Sequence, residues 1–264
     1  MQPPYYRCNS DGCGGYDFTV RSKTLLEGSR LRLRIWFQAI WYFANQQNGV
    51  TAVAFQKHLH LGSNHTALKL LKTLRLAAAA AVQDPLSGSV DVDEYYLEGK
   101  KTGEVGGRVL VLIAVQAGKN SKGSLIRVLR VNITSTGGLV EAVAKLVRPG
   151  SKVFTDAWPD YDDLRSKGYE HGVIRESANL GGYLLPKPKR VALLLQRWLA
   201  AQQGGMNDAQ LDYYLKEFAF RFNRHNANSD RTLFKRLLEL AVSNVTTPVR
   251  YEDWATLREP LTPI

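Results

Sequence analysis

The chain has 264 residues, of which 44% are hydrophobic, and a formal net charge of +11. This length allows one sizeable core and a small accessory domain, and the charge favours a polyanion such as nucleic acid as partner. Two cysteines are too few to build a disulfide scaffold. Apolar runs such as residues 77–82 are too short to span a bilayer, and the first residues lack the pattern of a secretion signal. We therefore expect a cytoplasmic protein with no membrane partner.

The first predicted unit, residues 1–22, contains Cys8 and Cys13 on either side of a glycine-rich turn. This spacing is typical of one half of a zinc ribbon, but a structural Zn²⁺ site needs four ligands. The segment has no second Cys or His pair, and the nearest histidines belong to a later element. These are His58, His60 and His65. The residues leave two alternatives, a partial zinc site at the two cysteines or two free thiols.

The second predicted unit, residues 23–84, is helical. A first helix is expected to begin at Ser29, which can cap it. A short helix capped by Thr51 follows, then a two-residue turn, and then a helix capped by Ser63 that runs to about residue 82. Two helices joined by such a turn predict a helix-turn-helix, which is a common DNA-binding motif.

One edge of the second helix of this motif is basic. Lys69, Lys72 and Arg75 recur every three residues beside a row of apolar side chains. This spacing places the three cations on one side of the helix, where they can follow DNA phosphates. The alternative is a solvated face on a helix that only packs.

The C-terminal part of the chain carries a second group of cations. Arg221 and Arg224 are predicted to contact DNA, and three further residues extend the group. These are Arg231, Lys235 and Arg236. A solvated helix face is the alternative for this group as well.

After a turn-rich stretch at residues 84–88 the pattern becomes strand-like. The predicted elements are strands at residues 90–96, 108–115 and 125–133, a helix at 138–147, a strand at 152–156, a helix at 159–167, a strand at 173–174 and a helix from about 185. This order is that of an RNase H-like α/β domain, in which helices flank a mixed sheet. We assign the domain to residues 85–241 and a C-terminal tail to residues 242–264.

Two acidic residues stand where such a domain would hold a metal. Asp93 lies within the first strand of the domain, and Asp156 ends the fourth. A carboxylate in an apolar strand is costly unless it is exposed, hydrogen-bonded or bound to a metal. On adjacent strands the pair can hold Mg²⁺ or Mn²⁺ ions that act on a phosphodiester. The alternative for Asp156 is the capping of the helix that follows it.

Four segments of the sequence are distinctive. They read VDEYYLEGK at residues 92–100, PGSKVFTDAWPDY at 149–161, GYEH at 168–171 and EFAFRFNR at 217–224. In these segments, and over nearly its whole length, the chain resembles the insertion-sequence transposases that have an ISXO2-like transposase domain. Members of that family combine a zinc ribbon, a helix-turn-helix and a DDE-type catalytic domain for DNA transposition, a form of DNA recombination.

The resemblance implies roles for particular residues. Asp93 and Asp156 would be the first two catalytic carboxylates and metal ligands, and His171 a nearby catalytic-site residue. The implied cofactor is Mg²⁺ or Mn²⁺, and Zn²⁺ depends on the incomplete ribbon. The implied partner is double-stranded DNA, at the terminal repeats of the element and at the target, bound by a homo-oligomer.

The third catalytic position departs from the family pattern. Family members carry Glu, Asn or, in the subgroup that this chain resembles most, His, whereas Lys189 aligns there in this sequence. An ammonium cannot ligate Mg²⁺, which prefers oxygen donors. Lys189 can instead neutralise a phosphate or mark decay of the site, and Glu176 is a conceivable substitute ligand in a loop.

Two main hypotheses follow for the function. The first is an active transposase that cleaves element ends and transfers the strand, and the second is a catalytically impaired relative that still binds DNA. A third oxygen ligand beside Asp93 and Asp156 would favour the first, whereas a Lys189 ammonium in the metal position would favour the second. A nuclease that acts on RNA is a further alternative, which the helix-turn-helix does not favour.

Overall fold

A computed structural model of the chain describes residues 5–10, 12, 15–46, 48–80, 84–98, 108–118, 124–131, 138–175, 185–202, 208–224 and 230–243. Cys13, Glu176 and residues 244–264 of the predicted tail lie outside the described residues. The zinc-site alternatives and the suggestion of Glu176 as a substitute ligand therefore stay predictions.

The N-terminal part consists of a short hairpin followed by three helices. In the hairpin, β1 (Tyr6–Arg7) pairs with β2 (Asp17–Phe18) in antiparallel sense. The helices are α1 (Leu33–Asn45), α2 (Ala52–His58) and α3 (Asn64–Ala80). The two helices predicted for residues 51–82 are thus present, and α2 and α3 pack against each other.

The predicted caps of α2 and α3 are present, whereas the predicted cap of α1 is not. Thr51 Oγ1 accepts the N–H of Ala54, and Ser63 Oγ accepts the N–H of Thr66. Ser29 Oγ instead accepts the N–H of Leu31 and the indole N–H of Trp36, so that it fixes a turn ahead of the helix. For this reason α1 begins at Leu33, without a side-chain cap, and not at Ser29.

The middle of the chain forms a five-stranded mixed sheet. Its strands are β3 (Ser89–Glu98), β4 (Arg108–Gln116), β5 (Leu125–Val131), β6 (Lys152–Thr155) and β7 (Glu170–Val173). The order across the sheet is β5-β4-β3-β6-β7, antiparallel from β5 to β3 and parallel from β3 to β7. The first four predicted strands are present, and the fifth lies at Glu170–Val173 and not at residues 173–174. This arrangement is compatible with an RNase H-like domain.

Helices cover both faces of the sheet. On one face lie α4 (Gly138–Leu146) and a 3₁₀ helix (Pro159–Leu164), and on the other lie α5 (Pro186–Ala201) and α6 (Asp208–Phe222). α7 (Asp230–Val242) packs on α1 and α3. None of the helices in the described part of the chain is both long and apolar enough to cross a bilayer.

Alternation along β3 and β4 divides the buried side chains between two cores. Val92 and Leu112 belong to the core under α4 and the 3₁₀ helix. Ile113 belongs to the second core, which also contains Leu71 of α3 and Leu195 of α5. The helices predicted for residues 23–84 therefore share one core with one face of the sheet.

The helix predicted for residues 159–167 is shorter than expected. Pro159 begins a 3₁₀ helix that ends at Leu164, and the N–H groups of Lys167 and Gly168 bond back three residues. Gly168 adopts a φ of +84°, a backbone conformation that favours glycine. The chain has to reverse within a few residues to enter β7, which leaves no room for a longer helix.

Two arginines that were predicted to contact DNA lie largely inside the protein, Arg75 as a buried residue and Arg221 with 9% of its side chain exposed. Arg75 and Arg221 both pair with Glu217, at 2.8 Å each, and the carboxylate of Glu217 is fully buried. Their guanidinium groups stack over the rings of Tyr214 and Phe43. The expected exposed placement was wrong for both residues, because their charges are used to link α1, α3 and α6 inside the protein.

The remaining predicted DNA contacts are more accessible. Lys69 is exposed on α3, and Lys72 is half-buried there. Arg224 is half-buried over the ring of Phe220, in a turn after α6. The predicted basic edge of α3 therefore retains Lys69 and Lys72 but loses Arg75.

The segment EFAFRFNR also protects the free edge of the sheet. The side-chain amide of Asn223 accepts the N–H of Ile126 at 2.7 Å and donates to its carbonyl at 3.2 Å. Ile126 belongs to β5, whose outer edge has no neighbouring strand among the described residues. An unpaired edge is a site for unwanted strand pairing, and Asn223 blocks part of it.

Candidate metal centre

Three carboxylates meet beside the C-terminal end of β6. β6 pairs with β3 only as far as Asp91, and beyond that point β3 has no neighbouring strand on that side among the described residues. Oxygen atoms of Asp93, Glu94 and Asp156 lie within 4.8 Å of one another, and all three residues are half-buried. The structure therefore brings the predicted pair together and adds Glu94, which the sequence had not indicated.

Glu94 reaches this cluster from the other face of the strand. Consecutive residues of a strand point to opposite faces, so Asp93 lies on the α5 side and Glu94 on the α4 side. The open edge of β3 allows both carboxylates to approach Asp156. A signal for Glu94 existed in the sequence, namely two consecutive acids in the strand, but alternation argues against their acting together.

Two tyrosine hydroxyls hold the carboxylates of β3. The hydroxyl of Tyr95 donates to Asp93 Oδ2, and the N–H of Glu94 donates to Asp93 Oδ1 at 3.0 Å. The hydroxyl of Tyr161, a fully buried residue of the 3₁₀ helix, donates to Glu94 Oε2. These bonds restrict the rotamers of both carboxylates, as expected of ligands that are held ready for an ion.

The cluster raises the pKa values of its own acids. Burial is the largest cause for Glu94, and the neighbouring charges of Asp156 and Asp93 add to it, so that the pKa of Glu94 rises to about 7. Burial likewise raises the pKa of Asp93, and Asp156 contributes. The Tyr95 and Tyr161 bonds oppose these shifts only in part. A divalent cation would relieve the repulsion, and a donor set of oxygen atoms alone fits Mg²⁺ or Mn²⁺.

Lys189, which aligns with the third catalytic position, lies beside the cluster. It occupies the first turn of α5, and its Nζ is 5.3 Å from the ring centroid of Tyr95. Its charge lowers the pKa of Asp93, although the other causes outweigh it. Nearby, Lys187 Nζ pairs with Asp91 Oδ2 at 3.0 Å. The start of α5 thus brings two ammonium groups to the α5 side of the cluster.

His171 supports the backbone at Asp156 and lies outside the group of acids. It is a buried residue of β7, and its Nε2 is 2.7 Å from Thr155 Oγ1. Thr155 in turn donates its single hydroxyl proton to the carbonyl of Asp156, so the imidazole N–H is the donor to Thr155. Burial lowers the pKa of His171, with Arg165 contributing, which favours this neutral ring.

The hairpin places Cys8 next to its β1 strand. Cys8 is half-buried, and its backbone N–H donates to the carbonyl of Tyr16 at 2.9 Å.

We expect the metal-dependent stabilisation of this protein to increase with pH. The Glu94 carboxyl has its ordinary pKa of 4.5 when unfolded and about 7 when folded. Between these values the metal-free folded protein holds a proton that the unfolded chain lacks, so its free energy of unfolding falls as pH rises. Protons and Mg²⁺ compete for the same oxygens in this window. The increase in Tm caused by Mg²⁺ should therefore be larger at about pH 7.5 than at about pH 5.

Thermal unfolding with Mg²⁺ and with EDTA, at both pH values, checks this expectation. The glutamine side chain of Glu94→Gln cannot titrate. The increase in Tm caused by Mg²⁺ should therefore differ less between the two pH values in this variant. Equal Mg²⁺ effects at both pH values in the unmodified protein would contradict the assignment of Glu94 to the metal centre.

A mixed sheet flanked by helices, with three carboxylates beside the end of β6, offers the oxygen donors of a metal-binding domain suited to phosphodiester chemistry. The ISXO2-like transposase domain family matches residues 85–223, which is more than half of the chain and includes the acid cluster. The chain belongs to this family, as the four sequence segments had indicated. Among curated proteins, none matched the chain.

Proposed function

We propose that this protein is an insertion-sequence transposase that binds element-end DNA and catalyses its metal-dependent cleavage and strand transfer. The observation that carries the proposal is the grouping of Asp93, Glu94 and Asp156 in a transposase-family domain. Three carboxylates supply the oxygen donors that Lys189 cannot. Glu94 is a third oxygen donor beside Asp93 and Asp156, and such a donor favours an active transposase over an impaired relative.

In this proposal Asp93, Glu94 and Asp156 hold the metal, which is Mg²⁺ or Mn²⁺. Bound there, such ions activate a water or a 3′-hydroxyl and stabilise the leaving oxygen of a phosphodiester. Tyr95 and Tyr161 keep the carboxylates of β3 in place through their hydroxyl groups. His171 acts through Thr155, which holds the carbonyl of Asp156, and is a positioning residue.

Recognition of DNA is assigned to α2 and α3 as a helix-turn-helix. Lys69 is exposed and Lys72 is half-buried on α3, so both can approach phosphates, and Arg224 is a further candidate after α6. The net charge of +11 favours association with DNA over most of the surface. Assembly of a homo-oligomer on two element ends belongs to the same proposal, as does a zinc ribbon completed outside the described residues.

A catalytically impaired relative that binds DNA is the second candidate function. The position of Lys189 favours it, because an ammonium beside Tyr95 and Asp93 adds positive charge where family members carry Glu, Asn or His. Such a charge competes with a divalent cation for the carboxylates. The two candidates share DNA binding and differ only in the chemical step.

Cleavage and strand transfer on labelled element-end DNA, with Mg²⁺ or Mn²⁺, distinguish the two candidates. We expect activity in the unmodified protein and only a modest change in Lys189→His, because the three carboxylates already provide the donor set. Silence in the unmodified protein together with activity in Lys189→His would identify an impaired enzyme. Lys187→His is the matched control, since it introduces the same imidazole ring two residues away, in the same first turn of α5.

A further inference from the structure

An exposed tryptophan follows one acid of the cluster closely in the chain. Trp158 follows Asp156 by two residues, and 47% of its surface is exposed. Tryptophan buries a large area when it is packed, so an exposed ring at this level retains a broad apolar face for a partner.

The backbone of Trp158 is fixed to the cluster at both ends. Its N–H donates to Asp156 Oδ1 at 3.1 Å, and its carbonyl accepts the N–H of Tyr161 at 3.2 Å. Tyr161 is the residue whose hydroxyl holds Glu94. The backbone of Trp158 is therefore held between Asp156, a member of the cluster, and Tyr161, which holds another member, so the indole extends from a fixed point beside the carboxylates.

A second aromatic residue lies on the other strand of the cluster. Tyr96 is 48% exposed and follows Glu94 by two residues on β3, which places both side chains on the same face of the strand. Tyr96 thus follows Glu94 by two residues, and Trp158 follows Asp156 by two residues. The partner suited to this arrangement carries a phosphate for the metal centre and flat apolar rings next to it.

We infer that Trp158 stacks on a nucleobase adjacent to the phosphodiester that the metal centre cuts, and that it thereby positions the scissile phosphate. The inference rests on the proposed function and deepens it, because it assigns a residue to DNA positioning at the same site. Every base offers a π-face, so the contact would fix the position of the strand without reading its sequence. For this contact the base has to leave the duplex stack, as it does in enzymes that hold an extruded base against aromatic side chains.

The test is equilibrium binding to element-end DNA, with one base at a time removed near the cleavage point. Ca²⁺ replaces Mg²⁺ so that the measurement does not depend on cleavage. On intact DNA, Trp158→Ala should bind roughly 5- to 150-fold more weakly than the unmodified protein, the range for loss of one base–aromatic stack. On DNA that lacks the stacked base, the two proteins should bind equally. Trp158→Phe keeps a ring and should restore most of the affinity.

Three results would overturn the inference. Equal binding of Trp158→Ala and the unmodified protein to intact DNA would mean that the indole has no role. If Trp158→Ala binds more weakly than the unmodified protein by the same factor on every abasic DNA, the substitution disturbs the fold in general. Absence of binding by the unmodified protein removes the inference and the proposed function together. Cleavage with Mg²⁺, measured separately, tests the proposed function alone, so binding with the expected pattern but without cleavage leaves the inference intact.

Discussion

Replacing Asp156 by asparagine is expected to abolish metal-dependent DNA cleavage, with a loss of about 10³-fold or more. Asp156 follows directly after β6, whereas the other two acids of the cluster belong to β3. Both residues of β3 therefore depend on Asp156 to enclose an ion. An amide has the same shape but no charge, and metal ions at such centres contribute several kcal/mol of transition-state stabilisation. The amide oxygen can still accept the N–H of Trp158, which keeps the local backbone intact.

Cleavage of labelled DNA under single-turnover conditions measures this loss, and titration with Mn²⁺ measures the accompanying loss of metal affinity. Asp163→Asn is the matched control, because Asp163 is an exposed residue of the neighbouring 3₁₀ helix. It should cleave DNA like the unmodified protein. Cleavage by Asp156→Asn at an undiminished rate would mean that the chemistry takes place elsewhere.

Replacing Glu217 by glutamine is expected to lower the free energy of unfolding by about 3–5 kcal/mol, the usual cost of breaking a buried ion pair. Glu217 is fully buried and accepts from Arg75 Nε and from Arg221 Nε, each at 2.8 Å. The neutral amide leaves two guanidinium groups without a counter-ion inside the protein. Because these arginines also bond to the carbonyls of Val50 and Phe43, the loss should loosen α1, α3 and α6 together.

Urea unfolding followed by circular dichroism measures the change, and Glu239→Gln provides the comparison. Glu239 pairs with Lys235 and Arg236 on the exposed side of α7, and its side chain is 48% exposed. Exposed pairs of this kind contribute at most about 1 kcal/mol. Similar effects of the two substitutions would show that the buried group does not hold these helices together.

The metal centre could be predicted from the sequence only in part. Asp93 and Asp156 stand out because local patterning placed each in or after an apolar strand, and strand order then made them neighbours. Glu94 could not be assigned in this way, because its approach to Asp156 depends on where β6 stops pairing with β3. The contact of Lys189 with Tyr95 likewise depends on how α5 crosses the sheet.

The basic residues show the same limit more sharply. Spacing correctly placed Lys69, Lys72 and Arg75 along one side of α3, but it contains no information about what packs on that side. Arg75 lies against Glu217, which is 142 residues away in the chain, and so becomes an internal ion. Arg221 follows for the same reason, and neither predicted alternative, DNA contact or solvated face, describes it.

The sequence by itself determined the order and type of most elements as far as α5, the caps of α2 and α3, and the two acids that end up side by side. These features depend on periodicity, turn residues and capping, which act over a few neighbouring residues. Only the tertiary structure decided the third carboxylate, the burial of Arg75 and Arg221, and the anchoring of Trp158 beside the cluster. Each of these depends on contacts between distant segments, where packing and desolvation outweigh local preference.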